Sequence, residues 1–267
     1  MNLSIIFLIA LCISAVGFIK YVYFFSVGYG FAISGIAIAL LISFRGSLTA
    51  GTIGMCLFFI VYGLRLGGYL LLRELKSTSY KDLLKNEIKD HVKPGAKIAI
   101  WVSCAFLYLC QTAPVLFRMK QQTGEASFWM MDGCLAVGLL LMCSGILVEA
   151  LADWQKSKEK QKAPKMFVHT GLYQMVRCPN YFGELLLWTG VFLSGIPIYT
   201  SPLEWILAVL GFLGITYVMF SGARRLELRQ DKNYGHIPEY QQYVKSTPIM
   251  IPFLPMYSVK KYKWLVA

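Results

Sequence analysis

The chain has 267 residues, of which 57% are hydrophobic and 15% are charged, and its formal net charge is +12 at pH 7. Soluble domains carry roughly 25% charged residues, so this composition excludes an ordinary soluble protein and indicates a polytopic membrane protein. In such a protein, excess Lys and Arg predicts cytoplasmic loops beside anionic lipid and not a nucleic-acid interface.

Seven apolar runs follow one another along the chain, each close to the ~20 residues that a membrane helix needs. They cover residues 3–19, 22–44, 51–72, 98–117, 130–151, 181–198 and 203–221. No charged segment precedes the first run and no convincing cleavage site follows it, so we interpret it as a retained first span. The sequence therefore predicts an all-α integral membrane protein with about seven transmembrane helices and a helical C-terminal tail.

The positive charges between these runs are distributed unequally. With seven spans, one set of loops holds Lys20, seven Lys or Arg between 73 and 97, six between 156 and 177, and eight from 224 onward. The other set holds only Arg45, Arg118 and Lys120. Because cytoplasmic loops carry the excess of Lys and Arg, we expect the C-terminus in the cytoplasm.

A polar stripe crosses the third apolar run. Tyr62, Arg65 and Tyr69 are spaced by three and four residues, which places them on one face of a helix. An arginine inside an apolar segment faces a protein interior or a polar cavity more often than lipid. The stripe predicts either a polar cavity or hydrogen bonds between packed helices.

Glu149, Asp153 and Lys156 follow the same spacing at the end of the fifth run. Two acids one turn apart repel each other, so we expect a cationic partner, which Lys156 or Arg65 can supply.

The segment 171–184 is a polar, aromatic-rich turn that leads directly into the sixth apolar run. Pro179 suits the first turn of a helix, and Gly183 leaves room for another backbone or a ligand. Asn180 and Glu184 are four residues apart and share a face, with Glu184 just inside the apolar helix, where an ionisable group needs a partner. The alternative is anchoring of the helix end at the membrane interface, with Arg177 extending to headgroups.

A basic segment follows the last run. Arg225, Arg229 and Lys232 mark one helical face, Glu227 and Asp231 mark another, and a glycine at 235 is placed to end the helix. Basic residues beside a membrane attract lipid headgroups. Their alternation with tyrosines and acids also suits a phosphate-bearing cofactor, since Arg offers a bidentate fork to phosphate oxygens.

Metal and phosphate-loop motifs are absent from the sequence. The three histidines, at 91, 169 and 236, have no ligand spacing, and the seven cysteines form no C-x-x-C pair. There is no glycine-rich nucleotide-binding loop either, so residues outside such a loop would have to bind any nucleotide.

An ordered set of motifs in residues 145–255 resembles a known family. The motifs are A-D-W-Q-K-S-K at 152–158, G-L-Y at 171–173, R-C-P-N-Y-F-G-E at 177–184, S-G-A-R-R at 221–225, and Tyr234-Gly235 followed by Tyr240 and Tyr243. This pattern is similar to the DUF1295 branch of the steroid 5α-reductase family, which is related to the sterol C14/C7 reductases.

The resemblance implies one polytopic domain that reduces a carbon–carbon double bond of a lipid or steroid-like substrate with NADPH. Residues 1–130 would form variable helices on the substrate side, and 145–255 the cofactor-binding region. The implied cofactor-binding residues are Asp153, Lys156, Lys158, Tyr173, Arg177, Asn180, Tyr181, Glu184, Arg225, Tyr234 and Tyr243. Among these, the resemblance assigns Lys156 and Lys158 to the 2′-phosphate end and Arg225 to a phosphate.

Two departures leave the substrate open. Cys178 stands where the family motif often has His. The steroid reductases also carry a Gln-Glu-x-Pro-Ser segment, which is absent here, and a His-Tyr-x-His-Arg segment, of which only Tyr62 and Arg65 remain.

Reduction of a polarised alkene leaves charge on the substrate, so a proton donor or oxyanion partner is needed. We expect Tyr62, oriented by Arg65, to fill this role, with Tyr69 as second choice. Glu149 or Glu184 would do so if burial keeps it protonated.

Two alternatives remain at this point. A membrane methyltransferase that uses S-adenosylmethionine shares the R-x-P-x-Y-x-G pattern and the tyrosine tail, but usually has paired glutamates where this chain has Glu227 alone. The other is a non-catalytic lipid-binding relative. In all cases we expect a multi-pass protein of a bacterial inner membrane or endoplasmic reticulum, with membrane lipids and a hydrophobic substrate as partners.

Overall fold

The computed structural model describes residues 1–76, 92–121 and 132–266, and within these ranges the chain is helical without any strand. The helices are α1 (Leu3–Ser14), α2 (Val27–Ser43), α3 (Ala50–Lys76), α4 (Pro94–Gln121), α5 (Gly133–Lys162), α6 (Pro179–Gly195), α7 (Pro202–Tyr234) and α8 (Pro238–Ser246). Short 3-10 turns cover Ala15–Phe18, Tyr21–Phe24, Gly171–Gln174 and Ile196–Ile198.

Six of these helical segments are long and apolar enough to cross a membrane, which confirms the all-α membrane fold. The first predicted span is different, because the helical segment Leu3–Phe18 is shorter than the other six. At 1.5 Å per residue it reaches about 24 Å, less than the ~30 Å of a bilayer core. The start of the fifth predicted run and most of the loop between 73 and 97 lie outside the described residues.

Two helices continue well beyond their apolar runs. Helix α5 extends to Lys162, and α7 is a single helix of 33 residues. Neither proline nor glycine interrupts residues 223–234, so the basic segment after the last apolar run continues the same helix. It ends at Tyr234, immediately before Gly235, as predicted.

The chain forms two compact units. The first contains Met1–Leu139 and Val191–Phe212, and the second contains Leu140–Gly190 and Leu213–Ala267. In the first unit α2 and α3 meet through glycines: a Cβ added to Gly30 would lie 2.7 Å from both the Gly63 carbonyl oxygen and the Gly67 nitrogen. Small residues thus let two helices approach closely, as is common in membranes.

The second unit has a similar close contact between α5 and α6. A Cβ added to Gly183 would lie 2.6 Å from the carbonyl oxygen of Gly145 and 2.8 Å from the backbone nitrogen of Glu149. The predicted bare face at Gly183 is therefore covered by the α5 backbone. This contact brings the glutamate-bearing turns of the two helices together.

Candidate active site

Side chains from three helices of the second unit interact electrostatically at the start of α6. Cys178 is buried immediately before this helix and lies within electrostatic range of Lys156 on α5. The phenol of Tyr181, in the first turn, lies within electrostatic range of Glu184 and of Arg225 on α7. The structure thus brings together residues that the sequence predicted from separate motifs.

The α7 backbone explains where the Tyr181 ring lies. A Cβ added to Gly222 would be 3.4 Å from atoms of that ring, so the ring packs over the glycine. Arg229, one turn beyond Arg225, is also within electrostatic range of Tyr181, and both arginines are exposed. We call Lys156, Arg225 and Arg229 the cationic rim.

Buried carboxyl groups lie deeper along the same helices. Glu184, one turn after the half-buried Asn180, is 5% exposed, and Glu149 on α5 is 3% exposed. Ionisable groups at such depth in membrane helices are expensive and usually mark a functional site.

Arg177 links the start of α6 to the C-terminal tail. Its Nη2 donates to Glu227 Oε1 at 3.0 Å and to the Tyr257 carbonyl, and both charged side chains are fully buried. The other Glu227 oxygen accepts the Val259 N–H at 3.0 Å. Within the described part of the chain, Nε and Nη1 of Arg177 are buried without a hydrogen-bond partner. The visible contacts of Arg177 therefore hold the tail, and its predicted cofactor contact stays a prediction.

Tyr173 and Tyr243 are joined directly. The Tyr243 hydroxyl donates to the Tyr173 carbonyl at 2.6 Å, and the Tyr173 hydroxyl donates to the Ala152 carbonyl at 3.4 Å. Tyr173 lies in the 3-10 turn that begins at Gly171. The φ of Gly171 is 61°, a positive value that glycine adopts without steric cost.

Tyr234 at the end of α7 belongs to the same neighbourhood. Its hydroxyl accepts from Lys160 Nζ at 2.9 Å, and its ring centroid is 6.0 Å from that of Phe167. Phe167 also stacks on Tyr243, with centroids 5.5 Å apart. Lys160 and Phe167 were not predicted from the sequence, because neither lies in a recognisable motif and only their contacts reveal them.

Of the remaining predicted residues of α5, Asp153 shares a helix face with Lys156, and Lys158 does not. Lys158 is exposed, with Nζ 4.9 Å from the centroid of the Trp154 ring. Residues two positions apart on a helix do not face the same way, so Lys156 and Lys158 point in different directions. Asp153 is half-buried.

Burial suppresses ionisation beside the start of α6. It raises the pKa of the Cys178 thiol to about 12, although nearby Arg177 and Lys156 lower it. Burial and the neighbouring thiol also raise the pKa of the Tyr243 hydroxyl. Cys178 is therefore a neutral thiol at physiological pH and does not replace a histidine as an acid or base.

The first unit contains a second polar group of residues. Tyr62 is fully buried on α3, with its ring edge-on to Tyr29 of α2 at 6.1 Å between centroids. Tyr29 accepts from Gln111 Nε2 at 3.2 Å, and its ring centroid is 5.0 Å from that of Tyr108. We call Tyr29, Tyr62, Tyr108 and Gln111 the tyrosine cluster.

Of this cluster, only Tyr62 was predicted from the sequence. Tyr29 has no charged residue beside it in its apolar run, and Tyr108 and Gln111, three residues apart on one face of α4, have none beside them in theirs. The available signal was the cost of an amide inside an apolar membrane helix. Arg65 and Tyr69 are half-buried on α3. The predicted catalytic residues are divided between the units, because Tyr62 and Arg65 belong to the first unit and Glu184 belongs to the second.

Comparison with known proteins identifies relatives. The sequence matches the family described as a protein of unknown function, DUF1295, over residues 6–247. It is 24% identical over 153 residues to 3-oxo-5-alpha-steroid 4-dehydrogenase 1 of Rattus norvegicus (56% of this chain, 54% of the relative) and 23% identical to that of Mus musculus with the same coverage. The Homo sapiens protein of that name is 24% identical over 131 residues (48% and 45%). The chain thus spans about half the length of these curated relatives, and no solved structure matches it.

Proposed function

We propose that this chain, which belongs to the DUF1295 family, is a membrane-embedded, NADPH-dependent reductase of a carbon–carbon double bond in a lipid or steroid-like substrate. The relatives named 3-oxo-5-alpha-steroid 4-dehydrogenase 1 support a reductase of a steroid-like substrate. The observation that carries the proposal is the convergence of the cationic rim on Tyr181 and Cys178, with Glu184 one turn deeper.

The residues at this site fit a dinucleotide. Three cations around the first turn of a helix suit phosphate groups, because the helix N-terminus is itself positive and arginine binds phosphate in a bidentate manner. The buried Nε and Nη1 of Arg177 are further donors that have no partner among the described residues. When bound, NADPH would supply the hydride from its nicotinamide ring.

We assign the 2′-phosphate primarily to Lys156, since Lys158 lies over Trp154 on another side of α5. Arg225 and Arg229 would hold the remaining phosphates. The nicotinamide side would be lined by Asn180 and Glu184. The other proposed lining residues are Asp153, Tyr173, Tyr181, Tyr234 and Tyr243.

Tyr62 is the proposed proton donor and Arg65 the residue that orients it. A buried phenol can donate to an oxygen on which charge develops, and proton transfer of this kind contributes about 10²–10⁴-fold to a rate. Tyr62→Phe keeps the ring and removes the hydroxyl, so we expect turnover to fall by that factor while NADPH still binds. Full turnover would transfer the role to Glu184, which Glu184→Gln then tests.

One contact bears on the methyltransferase alternative. That alternative relies on acidic residues after the last span, and both oxygens of Glu227 are engaged, by Arg177 and by the Val259 N–H. This arrangement leaves Glu227 as a structural residue and favours the reductase.

The direct test is transfer of label. Protein in nanodiscs, mixed with extracted membrane lipids and NADPH deuterated at the transferred position, should yield a lipid product that carries one deuterium. The Tyr62→Phe variant and protein-free nanodiscs are the controls. Label from methyl-labelled S-adenosylmethionine, and none from NADPH, would replace the reductase by a methyltransferase; no transfer from either would favour a lipid-binding relative.

A further inference from the structure

The C-terminal tail after α8 has an unusual composition. From residue 247 to the end there is no Asp or Glu, and the segment carries Lys260, Lys261 and Lys263 together with four prolines or aromatics in the loop 251–257. Basic residues mixed with large apolar ones are typical of a segment that lies in a membrane interface.

The loop 251–257 presents apolar side chains to the outside. Phe253 is 95% exposed, and Met175, Leu254 and Tyr257 are also exposed. These four side chains line one shallow surface cavity of about 250 Å³. They therefore form one continuous apolar patch.

The backbone holds Phe253 in this exposed position. Its φ is 64°, the left-handed region that bulky residues rarely adopt. Phe253 is the third residue of the turn 251–254, in which Pro252 is the second residue and the Leu254 N–H donates to the Ile251 carbonyl at 3.4 Å. A type II turn requires a positive φ at its third residue. A strained residue that contributes nothing to the core points to a role outside the fold.

The first attachment of the tail lies where a membrane helix begins. The N–H groups of Arg177 and Cys178 donate to Pro248 and Ile249, both at 2.9 Å, immediately before α6 starts at Pro179. The loop 251–257 therefore projects next to the end of a membrane-spanning helix.

The second attachment lies where α7 changes from apolar to charged. Arg224, the first charged residue after the apolar run 203–221, donates to the carbonyls of Lys260 and Leu265 at 3.2 and 3.3 Å. Two turns earlier, the Tyr217 hydroxyl donates to the Trp264 carbonyl at 3.1 Å, and the two rings stack with centroids 6.2 Å apart. This change from apolar to charged residues marks the level of the bilayer surface.

We propose that the tail is an interfacial anchor that inserts Phe253 and Leu254 into the surface of an anionic bilayer. Lys261 and Lys263, both exposed, contact headgroup phosphates, and Trp264 lies at headgroup level. Charge complementarity and the two attachments at the membrane boundary favour lipid over a peptide. This proposal does not depend on the reductase activity.

The test places the photoreactive residue benzoylphenylalanine at 253 in the full chain, in nanodiscs of mixed zwitterionic and anionic phospholipid. The replacement keeps an aromatic side chain at an exposed site, so folding should be unaffected. The matched control is the same residue at His236, which is exposed beyond the end of α7, about 15 Å along the helix from Arg224. Adducts are identified by mass spectrometry.

Lipid adducts at 253 should exceed those at 236 and be enriched in the anionic lipid relative to its fraction in the nanodisc. Lys261→Gln with Lys263→Gln should reduce the enrichment, by about fivefold for each lysine removed. Equal lipid labelling at 253 and 236, or adducts at 253 to protein when the labelling is repeated in native membranes, would overturn the proposal. So would an enrichment that the double variant leaves unchanged.

Discussion

The two units assemble their polar groups in opposite ways. In the second unit, charged residues from short contiguous motifs meet at the start of α6, where the chain enters the membrane. In the first unit, uncharged polar residues from three apolar helices, two of them on α4, form the tyrosine cluster. Charged residues clustered at a membrane boundary thus indicate a site already in the sequence, whereas the grouping of uncharged polar residues from different apolar runs is seen only in the fold.

The largest expected effect concerns the buried ion pair of the second unit. Glu227→Gln leaves the buried Arg177 cation without its counter-charge, which typically costs about 3–5 kcal/mol. We expect a large drop in the thermal unfolding temperature of the purified protein. The control is Glu159→Gln, whose pair with Lys162 is solvent-exposed at 3.5 Å and should change stability by less than about 1 kcal/mol.

A double variant separates loss of the pair from loss of one partner. Arg177→Met with Glu227→Leu removes both charges and should recover much of the stability that Glu227→Gln loses. If the double variant is no more stable than Glu227→Gln, the loss of stability does not come from an unpaired buried charge, and the ion pair itself holds the tail.

The next effect compares helix contacts in the two units. Gly30→Ala and Gly183→Ala each place a methyl group within 2.8 Å of backbone atoms, and such overpacking costs about 1–3 kcal/mol. The matched control is Gly68→Ala. Apart from its chain neighbours and its own helix backbone, no atom of the described residues would lie within 4 Å of the added methyl group, so this change should be neutral or stabilising because alanine favours helix.

NADPH binding by these two glycine variants distinguishes the second unit from the first. Gly183→Ala should weaken NADPH binding as well as stability, since Glu184 is its neighbour, whereas Gly30→Ala should affect stability alone. Equal weakening of NADPH binding by both would contradict a cofactor site confined to the second unit.

Much of this molecule was predictable because membrane helices are long, apolar and regular. Composition and run length predicted the helices, and α7 ended at the glycine that the sequence indicated. Sequence motifs indicate which side chains lie close together only within a few residues. Arg177 and Glu227 are 50 residues apart, and nothing in either motif predicts that they pair. The tail contacts of Tyr217 and Arg224 were missed for the same reason, and the cytoplasmic position of the C-terminus stays a prediction.

A smaller effect follows from the Cys178 thiol. Its pKa is about 12 in the folded protein, because of burial, against about 8.5 in an unfolded chain. Below pH 8 both states are protonated and the thiol does not affect stability. As pH rises above about 8.5 only the unfolded state ionises, so stability falls by up to about 1.4 kcal/mol per pH unit.

Cys178→Ala should make this alkaline loss of stability shallower, as measured by unfolding at a series of pH values. At pH 8, alkylation mapped by mass spectrometry should modify the exposed Cys12 and spare Cys178. Rapid alkylation of Cys178 in the folded protein would contradict its burial.

The smallest effect is a gain in stability. Phe253→Asn replaces a bulky residue at positive φ with one that tolerates this conformation, so we expect unfolding free energy to rise by about 1 kcal/mol. The measurement is thermal unfolding in detergent, where no bilayer is present. A loss of stability in detergent would show that Phe253 contributes to the fold itself.

Thermal-shift titration of the purified protein tests whether the second unit binds NADPH through the cationic rim. A ligand at one hundred times its Kd stabilises by about 2.7 kcal/mol, so NADPH should raise the unfolding temperature by several degrees. Lys156→Gln with Arg225→Gln should remove most of that shift, and S-adenosylmethionine should produce none. No shift with NADPH, or a shift that the double variant retains in full, would contradict the account.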